Sequence, residues 1–235
     1  MLELDALVKR YPQGDGEPII AVDGVSMAVA EGELVALYGP SGSGKTTLLM
    51  MIAALLAPDS GVVSLNGREV SSLPPREAAR YRMHELGFVR QSFELIPGAS
   101  ALDNAALKLL GKSLSTRAAR RRVVPMLRRL GLETRLEHRA EQLSMGERQR
   151  VMIARALSTD PTLVLADEPT GNLDSERGGE VLDLLSGLCR ERGAAVLLVT
   201  HDPEATAYAD RVLTLRDGRL SAGQSNPSLS STSSL

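Results

Sequence analysis

Residues 33–56 constrain the fold more than any other part of this chain. Residues 33–38, Glu-Leu-Val-Ala-Leu-Tyr, read as an apolar strand. Gly39-Pro40-Ser41-Gly42-Ser43-Gly44-Lys45-Thr46 follows at once, and residues 45–56 have helical character. The loop fits G-x-x-x-x-G-K-[ST] in the strand-loop-helix setting that gives this pattern its meaning. Its glycines let successive backbone N–H groups turn inward around phosphate oxygens, and the helix N-terminus adds partial positive charge. Lys45 is then expected to reach the β and γ phosphates. The Thr46 hydroxyl is expected to ligate Mg²⁺, with Thr47 beside it.

A strand that feeds a helix through such a loop belongs to an α/β sheet, and the rest of the chain agrees. Leu2, Leu4 and Val8 alternate with polar residues as in a strand, and the turn-rich run 12–16 predicts a hairpin. Residues 101–158 switch to helical, Ala/Leu/Arg-rich sequence with a stop at Gly131-Leu132, which predicts a helical subdomain inserted between strands over about 92–160. Apolar runs at 162–166 and 194–200, separated by a predicted helix over 176–191, resume the strand-helix-strand logic of a parallel sheet. Residues 1–220 read as one domain, and the serine-rich 221–235 as a tail outside its core.

Composition serves mainly to exclude. With 27 basic and 29 acidic residues the net charge is −2, which gives no overall attraction to nucleic acid or anionic lipid. The single cysteine, Cys189, rules out an intramolecular disulfide and fits a reducing compartment. Met1-Leu2-Glu3-Leu4-Asp5 has acids where a secretory signal needs a basic start, and no apolar run reaches about 18 residues. A cytoplasmic location is expected. Arg117, Arg120, Arg121, Arg122, Arg128 and Arg129 are spaced to form a solvated helix face, with Pro125 predicting a kink or break in that helix. His84 and His138 are read as structural.

Four further landmarks follow the glycine loop in order. Gln91 closes Gly87-Phe88-Val89-Arg90-Gln91. Leu143-Ser144-Met145-Gly146-Glu147 opens a helix. The strand after Thr162 ends in Asp167-Glu168, and another ends in Thr200-His201. Acids at the carboxyl end of a buried strand lie where open α/β sheets place their sites. Asp167 is placed to hold Mg²⁺ through water, and Glu168 to orient and polarise an attacking water. Ser144 with Glu147 three residues on has the form of a capping box, and the same helix start can bind an anion.

This order of motifs resembles the nucleotide-binding subunit of ABC transporters over nearly the whole chain. Leu165-Ala166-Asp167-Glu168-Pro169-Thr170-Gly171-Asn172-Leu173-Asp174, with the opening Tyr11-Pro12-Gln13-Gly14-Asp15, is similar to the macrolide-exporter, lipoprotein-release and cell-division branch. The sequence departs from that branch at Arg90, at Gly98-Ala99-Ser100, and at Met145, which replaces a signature glycine. The resemblance implies a P-loop NTPase with a mixed sheet core, an antiparallel β subdomain and an inserted α-helical subdomain. It also implies hydrolysis of ATP with Mg²⁺, held by Thr46, Asp167 and Gln91. Lys45, Glu168 and His201 would be catalytic, with His201 on the γ-phosphate, and Tyr11 would stack on adenine. Ser144, Gly146, Glu147 and Asp174 would act across a head-to-tail dimer of two copies. A membrane-spanning permease or effector would complete the assembly at the inner face of the cell membrane. Two other readings of the same motifs are a mechanotransmitting ATPase that moves no substrate, and a soluble ABC ATPase acting on DNA or ribosomes. The second is disfavoured by the single compact cassette without long coiled-coil insertions.

Overall fold

The computed structural model describes residues 1–14, 16–90, 95–112 and 114–221. In chain order its elements are β1 (Leu2–Gln13), β2 (Gly16–Val29), β3 (Leu34–Tyr38), α1 (Lys45–Ile52), β4 (Ser60–Leu65), β5 (Arg68–Glu69), α2 (Pro75–His84) and β6 (Leu86–Val89). Then come α3 (Ala101–Leu110), α4 (Thr116–Arg129), α5 (Met145–Leu157), β7 (Leu163–Asp167), α6 (Ser175–Arg192), β8 (Ala195–Thr200), α7 (Pro203–Thr206), β9 (Arg211–Arg216) and β10 (Arg219–Ser221). Two sheets result. One is antiparallel, in the order β2-β1-β4-β5, and the other is mixed, in the order β10-β9-β3-β8-β7-β6.

In the mixed sheet every neighbouring pair is parallel except β9 with β10. Its inner strands are buried on both faces, as the unbroken apolar runs predict. The pleat sends alternate side chains into two different cores. Leu34, Ala36, Val164, Ala166, Val196 and Leu198 pack on the side of α3–α6. Val35, Leu37, Leu163, Leu165, Leu197 and Val199 pack on the opposite side, against α1 and the antiparallel sheet. The sheet is thereby clamped, and the carboxyl ends of β3, β7 and β8 are held in register, with Tyr38 opposite Thr200 and Asp167 opposite Val199.

Gly131, at φ 67, lies just past the end of α4, where a left-handed residue ends a helix most cheaply. Pro125 does not break α4, which runs 14 residues through it. Ala119, Val123 and Leu127 on one face are buried in the core, and Ser115 caps the start by accepting from the Ala118 N–H. Packing and capping therefore outweigh one missing backbone donor. Three arginines of α4 form ion pairs along its solvated face: Arg120 with Glu137, Arg122 with Asp160 and Arg128 with Glu133. Cys189 is buried, which pushes its thiol up to about 12 and leaves it inert. Among the described residues no helix is long and apolar enough to cross a membrane.

Candidate active site

Over the carboxyl ends of the central strands lies a cleft of about 300 Å³. Ser41, Gly42, Gly44, Lys45, Thr46 and Thr47 line it from the loop and the start of α1, and Asp167, Glu168 and His201 from the strand ends. Ala21 of β2 completes the wall. Sequence positions more than 150 residues apart thus converge because three parallel strands end side by side.

The loop depends on its glycines at two places. Gly44 caps α1 at φ 101, and a β-carbon there would overlap the Ala21 carbonyl oxygen. A β-carbon on Gly39 would overlap the carbonyl oxygen of Leu215. The backbone is therefore cast tightly against β2 and β9 at positions that only glycine can occupy. Lys45 is 8% exposed and its Nζ donates to the carbonyls of Gly39 and Pro40, each at 2.7 Å. Burial lowers its pKa, while the charges of Glu168 and Asp167 work the other way. Ser43 is buried, and its hydroxyl has no partner among the described residues.

At the head of β7, the Thr46 hydroxyl donates to Asp167 Oδ2 at 3.2 Å. Burial holds the Asp167 carboxyl above its ordinary range against the Thr46 hydrogen bond, and the Glu168 charge adds to the effect. Glu168 follows at φ 50, a left-handed conformation that a non-glycine residue keeps only when its surroundings impose it. Both carboxylate oxygens are held. Oε1 lies 2.7 Å from His201 Nδ1, and Oε2 accepts from the Thr200 hydroxyl at 3.2 Å. That hydroxyl in turn accepts from the Asp202 N–H at 2.9 Å, so its single hydrogen is directed at Glu168. Each carboxylate oxygen keeps a lone pair, so the fixed group can still accept a proton from water.

Other predicted residues lie elsewhere. Tyr11 is on β1 opposite Ile19, 37% exposed, and does not line the cleft. Gln91 is outside the described residues. Ser144 caps α5 by accepting from the Glu147 N–H, while Glu147 Oε2 accepts from the Ser144 N–H at 2.8 Å, the reciprocal pair expected of a capping box. Arg135 holds the other oxygen of Glu147. Asp174 caps α6 by accepting from the Arg177 N–H at 2.9 Å. None of Ser144, Gly146, Glu147 and Asp174 reaches the cleft of its own chain.

Two residues bearing on the site escaped the sequence reading. Thr200 is fully buried and donates to Glu168, a contact that its place beside His201 in the sequence does not reveal. Gln149 is 2% exposed on α5, and its amide donates to the backbone carbonyls of Glu168 and Pro169. A signal for Gln149 existed: it shares the buried stripe of Met152, Ile153 and Ala156, so a polar side chain stood on a core face.

A glycine cradle, a buried lysine, a threonine–aspartate pair and a fixed glutamate at the strand ends together define a P-loop nucleotide hydrolase. Residues 22–171 match the family model described as ABC transporter, and the chain belongs to that family as an ATP-binding, ATP-hydrolysing subunit. It is 44% identical to lipoprotein-releasing system ATP-binding protein LolD 1 of Caulobacter vibrioides, over 97% of each chain. It is 42% identical to LolD of Chromohalobacter salexigens, over 94% of this chain and 93% of that one. Among solved structures it resembles the ATP-binding cassette MJ0796 in a dimeric post-hydrolysis state bound to ADP and Pi, with a TM-score of 0.92 and 38% identity. That match covers 96% of this chain and 99% of the other.

Proposed function

We propose that two copies of this subunit close head to tail on ATP and drive a membrane-spanning permease for lipoprotein release from its cytoplasmic face. The LolD relatives support the cargo class, and the dimeric MJ0796 cassettes support the assembly. The observation that carries the catalytic reading is the Glu168 carboxylate, gripped by Thr200 and His201 beside Lys45.

The loop N–H groups and Lys45 bind and orient the phosphates and neutralise charge that develops on them. Glu168 accepts the proton of the attacking water, and His201 and Thr200 hold its carboxylate toward the γ-phosphate position. Ser144, Gly146 and Glu147 at the start of α5, with Asp174, serve the partner copy's nucleotide, and Met145 tunes that seam. Tyr11 is 37% exposed on its hairpin and available to stack on adenine.

Thr46 and Asp167 fit a Mg²⁺ ion. Their oxygens are 3.2 Å apart at the cleft wall, and Mg²⁺ is ordinarily held by one or two protein oxygens, with phosphate and water completing the shell. Gln91 is assigned to the same ion. When bound, it neutralises charge on the β and γ phosphate oxygens. One domain spans 1–220 with the helical part inserted over about 92–160, and Ser221, which ends β10 and pairs with Thr214, belongs to that domain rather than to the expected 221–235 tail.

Phosphate release by the purified subunit tests the catalytic reading. Glu168→Gln should retain ATP and lose turnover by at least about 10²-fold. Parental turnover in that variant would refute Glu168 as the base. Co-purification from detergent extract should retain a permease; recovery of the subunit with no membrane protein would refute that partner.

A further inference from the structure

Glu168 must keep both an unfavourable backbone conformation and a fixed carboxylate. Its side chain is held by His201 and Thr200, and its N–H donates to the Val199 carbonyl at 2.9 Å. Its own carbonyl and that of Pro169 face α5, where both accept from one group, the Gln149 side-chain amide. Two carbonyls can be satisfied only by the NH₂ end, so the orientation of the amide is determined. The other end, Oε1, has no partner among the described residues, and the two carbonyls alone set that orientation. A buried, half-satisfied glutamine on a core stripe costs stability relative to an apolar residue. Packing alone does not explain it.

We propose that Gln149 is a positioning residue for hydrolysis: by holding the backbone carbonyls of Glu168 and Pro169, it fixes the carboxylate at the water-activating angle. Gln149 does not line the cleft. Because Gln149 rides on α5, whose first turn carries Ser144 and Gly146, any displacement of that helix reaches the backbone of the base directly. This inference rests on Glu168 being the base.

Two variants test it. Gln149→Met fills the volume without a donor, and Gln149→Glu keeps the shape but places an acceptor against two carbonyls. In whichever variant folds as judged by thermal unfolding, kcat should fall about 10- to 100-fold, the scale of a misplacement near 1 Å. The Kd for a fluorescent ATP analogue should stay within about twofold, since binding contacts are untouched. A kcat within twofold of the parent, or a loss of kcat matched by an equal loss of affinity, would overturn it. Glu168→Gln measured alongside separates the two claims. If Glu168→Gln is inactive while Gln149→Met turns over normally, only the role of Gln149 fails. If Glu168→Gln itself turns over normally, the base assignment fails and the role of Gln149 with it.

Discussion

Two helix starts in this molecule bear phosphate-binding character, and they are finished to different degrees. The start of α1 faces a cleft that also holds Asp167, Glu168 and His201, so binding and chemistry are assembled within one chain. The start of α5 has its hydroxyl, its capping glutamate and a glycine, but none of these residues lines the cleft of its own chain, and Met145 between them is 56% exposed. One region is a nearly complete active site, and the other is, on the function proposed above, a half-site that meets the cleft of a second copy. A fold can therefore be stable and locally satisfied while its site is built in two parts.

The largest expected effect falls on the complete half. Lys45→Ala removes the buried ammonium, and both ATP affinity and turnover should drop by more than about 10²-fold in nucleotide-binding and phosphate-release assays. Unchanged affinity would mean that the loop backbone alone binds the phosphates. Ser144→Ala should act on the other half alone. Affinity of the isolated subunit for ATP should be unaltered while turnover falls by about 10-fold, because only a contact made in the closed pair is lost. The same substitution removes an N-cap worth about 1 kcal/mol, so a modest loss of thermal stability should accompany it.

A third effect concerns stability. Burial raises the Asp167 pKa, so the nucleotide-free fold is favoured with that carboxyl neutral. The contribution is full below the ordinary carboxylate range and is lost as pH rises through the raised value. Asp167→Asn, neutral at every pH, should therefore unfold later than the parent at pH 7.5, by roughly 2–4 °C per kcal/mol recovered, and the gap should close near pH 4. Its hydrolysis should be lost. A variant less stable at pH 7.5 would show that the Thr46 contact outweighs burial. The smallest effect is at Met145→Gly, which should leave unfolding nearly unchanged, within about 0.5 kcal/mol, and alter only the concentration dependence of hydrolysis.

The two halves were also unequally legible in the sequence. The phosphate loop was readable because its requirements are local: Gly39 to Thr46 are contiguous, and backbone conformation and close approach dictate their identity. Asp167 and His201 were readable because apolar strands end at them. The order of the strands was not, since β3 lies between β8 and β9 through pairings that no local pattern records. Thr200 and Gln149 were missed for a related reason. Their partners are 32 and 19 residues away, so although the core stripe of α5 could have flagged Gln149, only the folded register shows what each residue holds. Ser144 was legible as a cap, but its second use came from resemblance. Of the kink or break expected at Pro125 the break does not occur, because core packing of α4 overrides a local breaker.

Mixing two defective subunits shows whether each site is shared between copies. Ser144→Arg keeps its own cleft but spoils the half-site it offers, and Glu168→Gln offers an intact half-site but lacks the base. Each alone should hydrolyse ATP at a small fraction of the parental rate. Mixed in equal amounts, half of the pairs formed at random contain one complete site, so phosphate release should recover to as much as about a quarter of the parental rate. A mixture no faster than the average of its two components would contradict the account, because the site would then be complete within a single chain.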